Sequence, residues 1–277
     1  DRRGVRHAWW RGYLLALLAA ATGYVLMPVG GSREWLAMLV GGTVPVAILA
    51  GLAMHRPVRR TPWFVLCTAE AALLASKIAV RVEPPAGTSG GPPLHGQLFV
   101  LAYLLMTVGL IMVARPGVHR NPTILLDGLV VTVGASVATW VFLMAPTSAD
   151  QSLPMVTKVV LIACPMLDIA LMTVAVPVVY GSRNRPAALR LLLVWLGGQL
   201  IVDAVTTTLV LNGHDPLATP LTGGWLAAAG FLGAAALHPS STVSIDRRLG
   251  GAPDRVGRQL PVLVTAGLLA PVVLAVT

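Results

Sequence analysis

GSREWLAMLVGGTVPVAILAGLAMHRPVRRTPW, residues 31–63, decides the fold class. From Trp35 to Met54 it carries no charged residue, and that stretch is 20 residues long. A helix needs about 20 residues to cross the hydrocarbon of a bilayer. The run ends in a basic cluster, Arg56, Arg59 and Arg60, and Pro62 opens the next apolar run. Proline suits the first turn of a helix, where its missing N–H would be unpaired anyway.

Outward from this stretch the pattern repeats. Basic clusters stand at Arg2/Arg3/Arg6/Arg11, Arg56/Arg59/Arg60, Arg115/Arg120, Arg183/Arg185/Arg190 and Arg247/Arg248/Arg255/Arg258. The alternate connections carry only Arg33 and Arg81, and Lys77 and Lys158 lie within or near apolar stretches. So 16 of the 20 basic residues fall on one side of a zigzag, which the positive-inside rule makes the cytoplasm. The expectation is an all-α polytopic transmembrane bundle in the bacterial inner (plasma) membrane, with a cytoplasmic N-terminus.

Composition points the same way. With 56% hydrophobic and 11% charged residues, and a mean hydropathy of +0.78, the chain has too little polar surface to cover a soluble globule. A net charge of +9 would suggest nucleic acid for a soluble protein, but the loop asymmetry accounts for it here. The partner implied is the lipid bilayer, and no nucleic acid is expected. Cys67 and Cys164 fall inside apolar runs at different depths and read as buried free thiols.

Spans are expected near 13–29, 35–54, 63–80, 97–114, 124–145, 156–180, 191–211 and 224–237, with a ninth beginning at 260. The eighth has room to extend into 221–223. The chain then reads as one membrane domain over residues 1–277: a basic cytoplasmic N-terminus at 1–11, eight spans over 12–237, a basic cytoplasmic linker at 238–259, and the start of a ninth span at 260–277. Because it begins with Asp1 and stops at Thr277 within an apolar run, it reads as an excerpt of a longer protein. The first run resembles a signal peptide in its flanks, but a cleavable apolar region is shorter, about 7 to 15 residues, so a retained helix is expected. Trp9, Trp10, Trp35, Trp63, Trp140 and Trp225 lie near span ends, where an indole prefers the interface.

Five charged residues lie within spans: Glu70, Lys77, Asp127, Asp168 and Asp203. Insertion of Asp or Lys at a helix centre costs roughly 2.5 to 3.5 kcal/mol, so such groups normally face the bundle interior and find partners. Asp168 follows Pro165 by three residues and Cys164 by four, which places a kink, a freed carbonyl and an acid within about two turns. That combination fits a ligand or proton site, or an Asp hydrogen-bonded to a neighbouring helix. Pro177 offers a second kink in the same span. Asp203 stands on a stripe with Gln199, Thr206 and Thr207, for which interhelical hydrogen bonding is an adequate explanation. Glu70 and Lys77 share a face two turns apart, too far for a direct pair, so each is expected to meet another helix. Asp127 lies near the start of its span, where an N-cap-like role is expected.

Catalytic and cofactor motifs are missing: there is no GxxxxGK[ST], HExxH, paired CxxC, GxSxG or Gly-rich dinucleotide turn. No cofactor, no metal site and no catalytic residue is expected in this segment. Intramembrane acids and prolines keep open a small secondary transporter as the alternative function, although no inverted repeat is evident.

Several segments in the second half resemble one family, the multi-span N-terminal membrane region of actinobacterial GGDEF/EAL signalling proteins. They are LLDGL (125–129) with Trp140 and Pro146, CPMLDIAL (164–171), LRLLLVW (189–195), Asp203 with VLNG (210–213), and GWLAAAGFLGAAALHPSS (224–241). Cys164 departs from the pattern, where an aromatic is common, and so does Ser241, where Met is usual. The resemblance covers roughly 124–277. It implies a sensory input region preceding cytoplasmic domains that make or degrade cyclic di-GMP, so a diguanylate cyclase or phosphodiesterase would be the parent enzyme. The implied signal is a small molecule or an ion, and a homodimer is one open arrangement.

Overall fold

The structure, a computed structural model, describes residues 2–28, 30–57, 59–82, 94–118, 133–134, 136–137, 140–145, 148, 162, 167, 169, 171, 187–211 and 221–242. Among these no strand occurs. The helices are α1 (Arg2–Leu26), α2 (Gly31–His55), α3 (Thr61–Val82), α4 (Leu94–Val118), α5 (Ala187–Leu211) and α6 (Leu221–Leu237). A π-helical turn covers Trp140–Met144, and a 3-10 turn, Pro239–Thr242, follows α6. Two compact units divide the chain, residues 1–109 with 185–244 and residues 110–184 with 245–277. The first unit holds α1, α2, α3, most of α4, α5 and α6.

Four helices carry stretches long and apolar enough to cross a membrane: Gly31–His55, Thr61–Val82, Leu94–Val113 and Ala187–Thr206. The expected spans at 35–54, 63–80, 97–114, 191–211 and 224–237 each fall within one observed helix, and the last does begin at Leu221. The first differs at its start, because α1 runs back through the basic segment to Arg2. Arginine is a good helix former, so a basic flank continues a helix as readily as it ends one. Pro62 is the second residue of α3, as the first-turn rule requires. The spans expected at 156–180 and from 260, and most of the one at 124–145, lie outside the described residues.

α6 sits at the centre of the first unit, packed against α1, α2 and α5. Its sequence, LTGGWLAAAGFLGAAAL, has no charged residue and no exposed position. Small side chains let the neighbouring backbones approach on several sides at once, the usual means of helix association where lipid supplies no hydrophobic drive. At the α2 crossing a Cβ on Gly51 would collide with the Ala236 carbonyl of α6. At the α1 crossing a Cβ on Gly233 would stand 2.6 Å from the Tyr13 hydroxyl. The larger core side chains, Leu17, Ile48, Leu66, Trp195 and Leu232, fill the space between helices. Leu15, Leu39, Val46, Leu104 and Ile201 point outward instead, which suits a hydrocarbon surround.

One end of the unit is tied by polar contacts. His55, the last residue of α2, places Nε2 2.9 Å from the Leu237 carbonyl at the end of α6. Ser240 accepts the Ala188 N–H at 3.0 Å, satisfying an orphan amide in the first turn of α5. His238 Nδ1 accepts the Ser240 N–H at 3.0 Å, and the His238 ring lies 5.0 Å from that of Trp10 on α1. The N-terminal part of α1, the C-termini of α2 and α6 and the N-terminus of α5 therefore share one end. At the other end Arg81 pairs with Glu34, and the Arg33 guanidinium lies 4.4 Å from the Tyr24 ring centroid. Arg33, expected in an external connection, is buried in the first turn of α2. The aromatic face of Tyr24 gives its charge a partner that water would otherwise supply.

Candidate functional site

Asp203 lies about two-thirds of the way along α5, on a helix whose other mid-length residues are almost all apolar. Its side chain is 5% exposed. A carboxylate offers about four lone-pair positions and no donor, so burial obliges the neighbours to supply N–H and O–H groups. Three do. Tyr103 of α4 donates its hydroxyl to Asp203 Oδ2. Trp225 of α6 donates Nε1–H to Oδ1 at 2.7 Å. Gln199, one turn earlier on α5, donates Nε2–H to the Tyr103 hydroxyl at 3.1 Å and to Asp203 Oδ2 at 3.3 Å.

Lys77 adds a fourth helix. From α3 its Nζ stands 5.7 Å from the centroid of the Trp225 ring. The indole thus accepts a cation on its face and donates from its edge to Asp203. Phe99 packs on Tyr103 with centroids 4.8 Å apart and steadies that ring. The hub is built where it is because α5 and α6 are in close contact there: a Cβ on Gly224, beside Trp225, would stand 2.9 Å from Val202, beside Asp203. A charge-assisted, mutually polarising set of bonds of this kind has value only while every member is in place. Displacing α4, α5 or α6 would stretch at least one of its bonds.

Of the residues singled out from sequence, the structure brings Asp203, Gln199 and Lys77 together. Thr206 is not part of the cluster, because its hydroxyl donates to the Val202 carbonyl one turn back at 2.7 Å. That is the usual local resource of a helical threonine. The Thr207 side chain lies outside the described residues, as do Asp127, Cys164, Pro165, Asp168 and Pro177. Glu70 is elsewhere on α3, 6% exposed, and its Oε1 has no hydrogen-bond partner. Glu70 and Lys77 do not form an ion pair, in keeping with their spacing, and Lys77 does reach another helix. Cys67 is a buried free thiol donating to the Pro45 carbonyl at 3.6 Å.

Sequence reasoning missed Tyr103 and Trp225. Tyr103 sits in LAYLLM within an apolar run, and a hydroxyl at that depth needs an acceptor; that was the available signal. Trp225 reads as an interface anchor, yet its N–H points into the bundle. Trp225 is half-buried and Trp63 is buried, whereas Trp9, Trp35 and Trp140 are exposed, as an interface position requires. Among the described residues no group of three or more His, Cys, Asp or Glu could hold a metal ion. Comparison with protein-family models, with curated proteins and with solved structures finds no match.

Proposed function

We propose that this chain is the membrane-embedded input module of a bacterial signalling protein, in which helix packing around Asp203 is the quantity that a signal changes. The observation that carries the reading is the hub itself. One carboxylate gathers donors from α4, α5 and α6, and the ring of one donor holds the ammonium of α3. A ligand or field that prefers one arrangement of these helices shifts the population toward it, by no more than its difference in affinity for the two.

The finer reading is a multi-pass protein of the inner membrane with eight spans and the start of a ninth, and with the N-terminus and the Arg-rich connections in the cytoplasm. The shared end formed by α1, α2, α5 and α6 supports it, since Arg2, Arg3, Arg6 and Arg11 of α1, Arg56, Arg59 and Arg60 just past α2 and Arg190 in the first turn of α5 belong to that end. The resemblance of residues 124–277 to the membrane regions of GGDEF/EAL proteins supports cyclic di-GMP synthesis or breakdown as the output, carried by cytoplasmic domains of the same chain.

The test uses membranes containing the full-length protein. Asp203→Asn keeps the shape and one acceptor oxygen but replaces the other with a donor facing Tyr103 or Trp225. Cyclic di-GMP turnover should change at least threefold while the amount inserted stays constant. Unchanged turnover, or a full-length protein with no such activity, overturns the reading and favours the transporter. Orientation is tested separately. With Cys67 and Cys164 replaced by Ala, an impermeant thiol reagent applied to intact cells should reach Ser89→Cys and not Val118→Cys.

A further inference from the structure

Glu70 stands on the face of α3 that meets α2, between Cys67 and Leu74, at helical spacings of three and four residues. Both neighbours fix the register. The Cys67 thiol contacts the Pro45 carbonyl, and Leu74 is the side chain that a Cβ on Gly41 or Gly42 would meet, at 3.8 and 3.6 Å. Glu70 is therefore level with the stretch of α2 between Gly41 and Pro45. Pro45 has no amide hydrogen, so the Gly41 carbonyl loses the donor that an unbroken helix would give it. On the same stretch of α2 the Thr43 hydroxyl lies 3.4 Å from that of Tyr13 on α1.

The Thr43 hydroxyl and the Cys67 thiol donate to the Val40 and Pro45 carbonyls of α2, which leaves the acid and the Gly41 carbonyl as acceptors on facing helices. Glu70 Oε1 is buried and unpartnered, and a carboxylate left so in a low-dielectric interior is costly. The titratable and charged groups that face it are Tyr13 of α1 and Cys67 and Lys77 of α3. Those of α2, namely Arg33, Glu34 and His55, are at its ends, and α6 has none. Lys77 is engaged with the Trp225 ring, two turns from Glu70.

We infer that Glu70, level with the backbone hydrogen bond that Pro45 removes from α2, is a binding site for a small monovalent cation, either a proton or an alkali ion. The site is independent of the signalling reading, because occupancy is defined whatever the output. Its test is labelling of the full chain in native membranes with a hydrophobic carbodiimide, which attacks buried carboxyls in their acid form, followed by mass spectrometry of the Glu70 peptide. Modification at Glu70 should be strong at pH 6, should fall at least tenfold by pH 9, and should vanish in Glu70→Gln. If the occupant is an alkali ion, sodium chloride protects relative to choline chloride at constant pH. If it is a proton, the two salts are equal and only pH matters. No modification of Glu70 at any pH between 5 and 9, or modification indifferent to both pH and sodium, overturns the inference.

Discussion

Asp203 and Glu70 are both acids on long apolar helices, and both are about 5% exposed, yet their surroundings differ in kind. Asp203 has a donor for each oxygen, from three residues on three helices. Glu70 is level with Pro45 of α2, where one backbone hydrogen bond is missing, and its Oε1 has nothing to accept. The first arrangement uses its acid to hold helices in register; the second leaves an acid able to exchange a partner. Since insertion costs for the two residue types are alike, what separates a structural acid from an exchangeable one is the donor count around it.

Removing the hub is the largest perturbation that this contrast implies. Asp203→Leu leaves the Tyr103 hydroxyl, the Trp225 N–H and the Gln199 amide without their acceptor. Each unsatisfied buried group costs about 1 to 3 kcal/mol, moderated by relaxation toward other partners. A loss of about 3 kcal/mol in folding free energy is expected, measured by steric trapping or denaturant titration in micelles. A change below about 1 kcal/mol would mean that the donors find other acceptors and that the contrast between the acids is only apparent.

Single donors should cost less. Trp225→Phe keeps the aromatic face for Lys77 and removes the bond to Oδ1, and Tyr103→Phe removes one of the two bonds to Oδ2, leaving that from Gln199. Intramembrane hydrogen bonds average about 0.6 kcal/mol and reach about 1.7 in double-mutant cycles. Bonds to a carboxylate belong at the upper end, so about 1 to 1.5 kcal/mol is expected for each. Because both act on one acceptor, the double variant should depart from additivity by at least about 0.5 kcal/mol. Strict additivity would show two separate bonds in place of a network.

How far this was readable in the sequence depends on which helix supplies the partner. Helix positions follow from runs of apolar residues, and α2, α3, α4, α5 and α6 each enclose the expected span. Gln199 and Asp203 are one turn apart on one helix, a relation that spacing alone reveals. Tyr103 and Trp225 are about 100 and 22 residues away from Asp203, and only the packing of α4 and α6 on α5 brings them in. The central place of α6 left a trace, since a span with no charged residue and few large ones has little to present to lipid. The burial of Arg33 left none, because its partner, Tyr24, precedes a connection whose path no periodicity encodes. In the same way, Glu70 could be marked as an intramembrane acid, but its lack of a partner is a property of the assembled bundle.

Lys77 lies between the two acids and should give an intermediate effect. Its contact with the Trp225 face is worth about 0.5 to 1 kcal/mol at exposed sites and about 2 when desolvated. Lys77→Met keeps the length and apolar stem, so a loss of about 1 kcal/mol is expected, and it should shrink to near zero in a Trp225→Ala background. If the loss persisted there, Lys77 would be acting mainly through Glu70, two turns along α3, and not through the Trp225 ring.

The smallest effect is the most discriminating. Glu70→Gln keeps the volume and removes the ionisable group, and it brings a donor pair to a place with spare acceptors, among them the Gly41 carbonyl and the Tyr13 and Thr43 oxygens. For a carboxyl held by fixed donors, the same change would remove an acceptor and set two N–H groups against N–H or O–H groups, as it would at Asp203. At Glu70 no fixed donor opposes Oε1, so the expected change in folding free energy is within about 0.5 kcal/mol, and it can be stabilising. Unfolding of both proteins should be compared across pH 5.5 to 8.5. If Glu70 exchanges a proton in this range, the wild type should show a pH slope that Glu70→Gln lacks, while the Asp203 variants retain it. Destabilisation by more than about 1.5 kcal/mol with no change in slope would show that Glu70 has fixed partners after all, and the two acids would then be alike.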